Sequence, residues 1–527
     1  MSRDHHMLKS VTTVGGCTLL SRVLGLARDV LMAGFFGTSG AMSSFVLAFT
    51  LPNLFRRLFG EGALSSSFIP VFTHDLEHTG RDAAWIFARK VFSLAALVLL
   101  ALTAGVVLSA HGLLSLAAVP DRLQPVLDLT RIMFPYMLFI CLAALFRAAL
   151  NACGHYAVPA AAPCLLNLVW IAAVVLICPQ VGGGPAGQIR VVAWAVVLAG
   201  ILQWLVQVPS AIERGFRPGF DPDTRDPRVR RVIQLMGPAA LGMAVTQFNV
   251  VIDRLLAYAV GPQAPAALFF SERLIYFPLG IFATALGSVL LPVFSGHAAR
   301  ADHSRIASET GDGLRRMFYL MLPAAAGLGV LAVPVVRMLF EWRIFDGQST
   351  QLTAIALRCY APGLLVFSAA KVLIPAFYAR QDTRTPVRVG AAAMVLNLVL
   401  SVTLILALPR PYKHGGIALA TVLAEAAHAA ALMRILQRET APLNWKVLRF
   451  SALRAAAGTA ALVPAALLLH RVLRGMGGAL PVKAAQIGAV LGAVAGGAVI
   501  YFALTAALGS PEPREFRRAL GGGKSKR

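Results

Sequence analysis

Arginines set inside otherwise apolar stretches are the residues of this sequence best suited to chemistry. Arg22, Arg28 and Asp29 interrupt the first such stretch, and Arg56, Arg57 and Glu61 the second. Asp128 with Arg131, Asp253 with Arg254, and Glu272 with Arg273 follow further along. A charge at the centre of a membrane-spanning helix costs about 2.5–3.5 kcal/mol on insertion scales, so each is there for a purpose. Some read as local pairs, Arg57 and Glu61 being four residues apart and Asp128 and Arg131 three. Arg22, Arg28, Arg56 and Arg273 outnumber the acids near them and leave a net positive site that wants an anion. The planar donors of arginine match the oxygens of a diphosphate bidentately. On a helix Ser21, Gly25 and Arg28 share one face, whereas Arg22 lies about 120° away. Gly25 permits a bend between the two arginines.

Helices must hold these groups, and composition says which kind. Of 527 residues 57% are hydrophobic and only 14% charged, with a mean hydropathy of +0.71. Apolar runs such as Val91–Ala110, Met317–Val336 and Ile487–Leu508 approach the ~20 residues needed to cross a hydrocarbon core. Spans are expected at 11–35, 41–74, 86–110, 126–152, 156–178, 189–212, 230–260, 265–296, 315–338, 349–379, 384–408, 415–437, 448–470 and 484–507. The fold class is therefore an all-α polytopic membrane protein of about 14 transmembrane helices. The net charge of +24 gathers in loops of one side, in Arg214–Arg231, Arg300–Arg316, Arg380–Arg388, Arg434–Arg454 and Arg514–Arg527. That bias is the positive-inside pattern, which puts both termini in the cytoplasm and these clusters beside the anionic leaflet. No folded domain is left over to bind nucleic acid. The six cysteines lack metal or disulfide spacing and read as small packing residues. The first apolar stretch, broken by charge, is not a cleavable signal.

Two halves of the chain echo each other. Ala63-Leu64-Ser65-Ser66 leads to Pro70-Val71-Phe72-Thr73 as Ala285-Leu286-Gly287-Ser288 leads to Pro292-Val293-Phe294-Ser295. Leu166-Asn167-Leu168-Val169 recurs as Leu396-Asn397-Leu398-Val399, and Asp29 has a counterpart in Asp253. The near-constant shift indicates two six-helix repeats. The expected organisation is a first lobe over 1–213, a cytoplasmic linker over 214–229, a second lobe over 230–440, an appended helix pair over 441–508 and a basic tail over 509–527. Asp221, Asp223 and Asp226 read as part of a solvated linker. Prolines and glycines interrupt the second and eighth helices (Pro52, Gly60, Gly62 and Pro70; Pro278, Gly280 and Gly287), as transporter helices lining a cavity often are.

At these residues the sequence resembles a known family. Ser21 to Asp29 (SRVLGLARD), Leu51 to Arg57 (LPNLFRR), Glu61-Gly62-Ala63 and Phe377 to Pro386 (FYARQDTRTP) look like signatures of the MurJ (MviN) lipid II flippases. The resemblance implies the fold of the multidrug/oligosaccharidyl-lipid/polysaccharide exporter superfamily, with two lobes in a V around a cationic cavity. It also implies that the appended helices form a groove for a polyprenyl tail. By position Arg22, Arg28, Asp29, Arg56 and Arg273 match the family's important charges, Asn167 matches a polar cavity residue, and Ser21 shares the Arg28 face. Glu61 and Glu272 are supporting charges. Ser401 stands where some members carry an acid of a sodium site, leaving Asp253, Asn397 and Thr421 as candidate sodium ligands. Ser43 and Tyr276 also replace acids found in some members.

The expected activity is alternating-access flipping of lipid II to the periplasmic leaflet of a bacterial inner membrane. No other cofactor is expected, since no nucleotide-binding motif is visible, and the membrane potential is a plausible driver. The expected partners are lipid II itself, membrane lipids and the cell-wall synthesis machinery, with the chain a monomer and not an enzyme. Rival readings are an exporter of drugs or of another polyprenyl-linked saccharide, and a membrane transferase. Drug exporters need acids for cationic substrates, and a transferase needs a catalytic cluster that the linker aspartates do not supply.

Overall fold

In the computed structural model, which describes residues 2–116, 119–476 and 481–520, every regular element is helical. Among the described residues, nine helical segments are long and apolar enough to cross a membrane, and two bent pairs pass the same test as broken spans. One pair is α13 (His303–Val330) with α14 (Ala332–Phe340), bent by 77°; the other is α15 (Gly347–Tyr360) with α16 (Gly363–Ala379), bent by 46°. The chain is thus a multi-pass membrane protein. Three expected spans fall outside this measure, 11–35, 41–74 and 230–260, and they are the ones that carry Arg22 and Arg28, Arg56 and Arg57, and Asp253 and Arg254. The second of these is broken at Arg56–Ala63 into helices of 16 and 15 residues, each short of the length a span needs.

The chain packs as two units, Met1–Ala266 and Ala267–Arg527. In the first, α1 (Ser2–Phe36) lies along α7 (Ala157–Ala172), and α7 along α8 (Gly184–Leu205). α2 (Gly40–Phe55) packs on α5 (Gln124–Met133), and α6 (Tyr136–Ala152) on α8. Between α2 and α3 (Leu64–His78) the ladder widens to a π-helical stretch, Arg56–Ala63, where Gly62 leaves helical geometry at φ −105°, ψ −110°. Wide turns of this kind concentrate at functional sites. The second unit has one at Leu279–Ala283, between α11 (Ala264–Pro278) and α12 (Thr284–Ala298), so the repeat seen in sequence extends to its breaks. α10 (Pro227–Val260), expected from sequence to open the second lobe, falls in the first unit and packs there on α2, α3 and the Arg56–Ala63 stretch. By contrast, α1 runs unbroken past Gly25. A Cβ at that glycine would sit 3.9 Å from the Asn167 amide, an ordinary packing contact.

An aromatic core near one end of the first unit joins Phe68, Phe72 and Phe87 to Trp85 and Phe92 of α4 (Arg81–Ser115). The linker enters this core through Phe216 and buries Asp226, while 217–220, 224 and 225 stay exposed as its composition suggests. Phe216 packs 5.5 Å from Trp85 and 5.2 Å from Phe146, and the Trp85 indole donates to the Arg214 carbonyl at 2.7 Å. Lys90 bonds Asp223 and Asp226 at 2.9 and 3.1 Å, while Arg228 reaches Asp226 at 2.7 Å and Asp75 at 2.8 Å. Linker arginines and aspartates close together in sequence find partners on α3 and α4 instead of water.

In the second unit α13 is central and touches α16 and α19 (Trp445–Met476). α17 (Arg384–Ala407) packs on α18 (Lys413–Glu439), and α19 pairs along its length with α20 (Val482–Ala507).

Candidate functional site

The α1–α7 contact of the first unit builds a polar cluster within an apolar helix pair. Arg28 donates from Nε and Nη2 to Asp29 Oδ1 at 3.0 and 2.8 Å, and from Nη1 to Asn167 Oδ1 at 3.0 Å. Asn167 in turn donates through Nδ2 to the Ser21 carbonyl at 3.0 Å and approaches its hydroxyl at 3.4 Å. The guanidinium rests on the Trp170 ring, 4.5 Å from its centroid, a cation–π arrangement that strengthens out of water. The Asp29 side chain is 6% exposed and that of Arg28 12%. Ser21 and Arg28 share a helix face, as the spacing predicts, and Asn167 and Trp170 share the facing one. Trp170 was not singled out from sequence, although its i, i+3 spacing from Asn167 carried the signal.

The pairing fixes what Arg28 still has to offer. A guanidinium carries five N–H donors. Asp29 and Asn167 take three, on Nε, Nη2 and Nη1, leaving one N–H on each terminal nitrogen. A phosphate or carboxylate oxygen accepts readily from such charged donors.

The other sequence-predicted residues distribute as follows. Arg22 is exposed, about 120° round α1 from Arg28. Arg56 opens the π stretch and donates to Asn53 Oδ1 at 2.9 Å. The Glu61 side chain lies outside the described residues. Asp128 pairs with Arg131 at 2.8 Å and with Arg190 at 2.9 Å, a local network. In the second unit Arg273 lies over the Phe269 ring at 4.4 Å, and Glu272 accepts from the Tyr360 hydroxyl at 3.2 Å. Both arginines thus rest on an aromatic face, Arg28 on a helix packed beside it and Arg273 on a residue one turn earlier.

The candidate cation ligands divide between the units. Asp253 is on α10, whereas Asn397 is on α17 and Thr421 on α18. Asn397 and Ser401 are buried, at 1% and 0% exposure, and the Thr421 hydroxyl donates to the Ile417 carbonyl at 3.0 Å. Ser43, another position where an acid is replaced, is buried and accepts from the Ala266 amide at 3.3 Å, so it serves packing in the first unit.

Known proteins share this arrangement of helices. A family model described as lipid II flippase MurJ matches residues 32–481, beginning just after the Ser21–Asp29 segment. A probable lipid II flippase MurJ of Rhizobium tropici is 33% identical over 525 residues, covering 98% of this chain and 96% of its own. A solved lipid II flippase MurJ in an inward closed conformation matches with a TM-score of 0.75 at 22% identity, covering 94% of this chain and 98% of that one. An inward-facing multidrug resistance MATE family transporter of the MOP superfamily gives 0.64 at 14% identity, covering 79% and 96%. Likenesses at these identities establish the fold alone.

Proposed function

The chain belongs to the lipid II flippase MurJ family, and from that premise we propose that it carries lipid II from the cytoplasmic to the periplasmic leaflet of a bacterial inner membrane. The observation that carries the reading to particular residues is the Arg28 cluster, a cation held in place with two donors to spare. Asp29 neutralises part of its charge and fixes its plane, while Asn167 and Trp170 hold it from the α7 side. A diphosphate arriving there gains two charge-assisted hydrogen bonds without first ordering the arginine, the usual advantage of preorganisation. Asp29 orients and does not touch phosphate. Arg22, Arg56 and Arg273 add positive charge for the sugar-linked diphosphate. Alternating access then exposes the site to one side and the other in turn. The polyprenyl tail stays in lipid along α19 and α20, and both termini remain cytoplasmic.

We take the membrane potential as the driver, because each elementary charge moved through 100 mV is worth about 2.3 kcal/mol. The sodium alternative has a thin donor set: Asp253 is its one carboxylate, Ser401 stands in place of another, and the Thr421 hydroxyl is engaged by its own helix.

Complementation tests the reading. Expressed in a bacterium depleted of its own lipid II flippase, the chain should restore growth and outward exposure of lipid II. Arg28→Ala and Arg273→Ala, present at equal membrane levels, should not. Rescue by both variants would make these arginines structural, and failure of the inserted wild type in its native background as well would point to another exported lipid.

A further inference from the structure

The last described helix, α21 (Glu512–Leu520), sorts its charges by face. α20 ends at Ala507, and a left-handed turn at Gly509 (φ 73°) starts α21 within a few residues. The helix therefore lies at the level where the apolar span stops. Both of its acids point inward. Glu512 is fully buried and accepts from the Ser451 hydroxyl at 2.6 Å, the Ser510 hydroxyl at 2.6 Å and Arg315 Nη1 at 2.9 Å. Glu515 accepts from Arg315 at 2.8 Å and Arg316 at 3.1 Å. Phe516 stacks on Tyr319, with centroids 6.4 Å apart. Burial by itself pushes the Glu512 carboxyl up, but the two serine hydroxyls and Arg315 outweigh it and hold it below the usual carboxylate range.

With both acids paired to α13 and α19, the exposed charges among the described side chains of α21 are cationic. Arg514 and Arg517 are exposed there. Ser451, bonded to Glu512, brings the start of α19 alongside, where Lys446 and Arg449 are exposed too. Trp445, Phe450 and Leu453 are 41%, 53% and 65% exposed on the same turns. Basic side chains interleaved with exposed aromatic and aliphatic ones, at the end of an apolar span, are the signature of a surface that lies in the headgroup region.

We propose that the outer face of α21, together with Lys446 and Arg449 of α19, is a docking surface for the anionic phospholipid headgroups of the leaflet where α20 ends. The inward carboxylates clip the helix to α13 and α19, and the headgroups hold it from the other side. An acidic protein would satisfy the same charges, but the exposed Trp445, Phe450 and Leu453 favour the bilayer surface over an aqueous partner.

Hydrogen exchange of the 512–517 backbone reads the docking directly, with full-length protein in nanodiscs of phosphatidylcholine alone or of a mixture rich in phosphatidylglycerol. Exchange should slow by roughly fivefold or more in the anionic discs, and high salt should erase the difference. Arg514→Ser/Arg517→Ser should keep the clip and thermal stability yet lose most of the lipid dependence. Glu512→Gln should speed exchange in both lipids. Equal exchange of the wild type in the two disc types would overturn the proposal, as would undiminished lipid dependence in the double serine variant. The readout involves no flipping, so it stands or falls apart from the transport reading.

Discussion

Trp170 offers Arg28 a π face at 4.5 Å, and the two residues show how a charge is kept inside an apolar helix pair. The ring replaces water on one side of the guanidinium plane, Asp29 neutralises part of the charge, and Asn167 accepts at the rim. Such a contact is worth about 0.5–2 kcal/mol depending on desolvation. Trp170→Leu should therefore weaken transport severalfold while Trp170→Phe retains most of it, measured as lipid II exposed per unit of membrane-inserted protein. Arg28→Lys is the sharper change. It keeps the charge but replaces a planar fork by a point donor that cannot serve Asp29, Asn167 and a bidentate anion at once. Transport should fall at least about tenfold, and equal activity of Lys and Arg would show that only charge matters at this position.

The linker behaves as an element in its own right. Strapped to α3 and α4 by Phe216, Trp85 and the Lys90–Asp226–Arg228–Asp75 chain, it fixes where α10 begins. The Arg228 hydrogen bonds hold the Asp226 carboxyl well below the usual carboxylate range, more than offsetting burial. A depressed folded value means the stabilisation is complete above the ordinary carboxylate value near pH 4 and is lost as pH falls through the folded value. Asp226→Asn, breaking a pair whose acid is 5% exposed, should cost about 3 kcal/mol or more. Limited proteolysis across 214–226 would read the loosening at neutral pH. Wild-type protein should resist cleavage at pH 6 and yield on strong acidification, whereas the variant should be cut at both. A variant as resistant as wild type at pH 6 would refute the strap.

For the molecule as a whole, transport energetics are the decisive question. If moving net charge through the membrane drives the cycle, replacing external sodium with choline should leave lipid II exposure unchanged, and collapsing the potential should stop it. Loss of activity in choline, restored by sodium, would instead assign Asp253, Asn397 and Thr421 to an ion site despite the serine at 401. The basic bias of +24 bears on orientation and on contact with anionic lipid, not on the fold itself.

Fold class, the repeat and the charged helices could be read directly from the amino-acid order, because hydrophobic runs, helical spacing and intramembrane charge are local properties. Ser21 and Arg28 belong to the same argument, Asn167 came from the family resemblance, and the structure joins the three in one cluster. Sequence reasoning treated Asp221, Asp223 and Asp226 as solvated, since an acid among arginines in a polar stretch has no visible partner elsewhere. Their partners Arg89 and Lys90 come from α4, far away in the chain, as does Asp75 of α3, which shares Arg228 with Asp226, and only the tertiary structure brings them together. Gly25 permits a bend by its residue type, yet α1 continues as one helix through it, since the packing against α7 decides the path. Glu512 and Arg315, separated by nearly two hundred residues, carry no local signal at all. Periodicity settles which residues share a face; which face meets which is decided by packing.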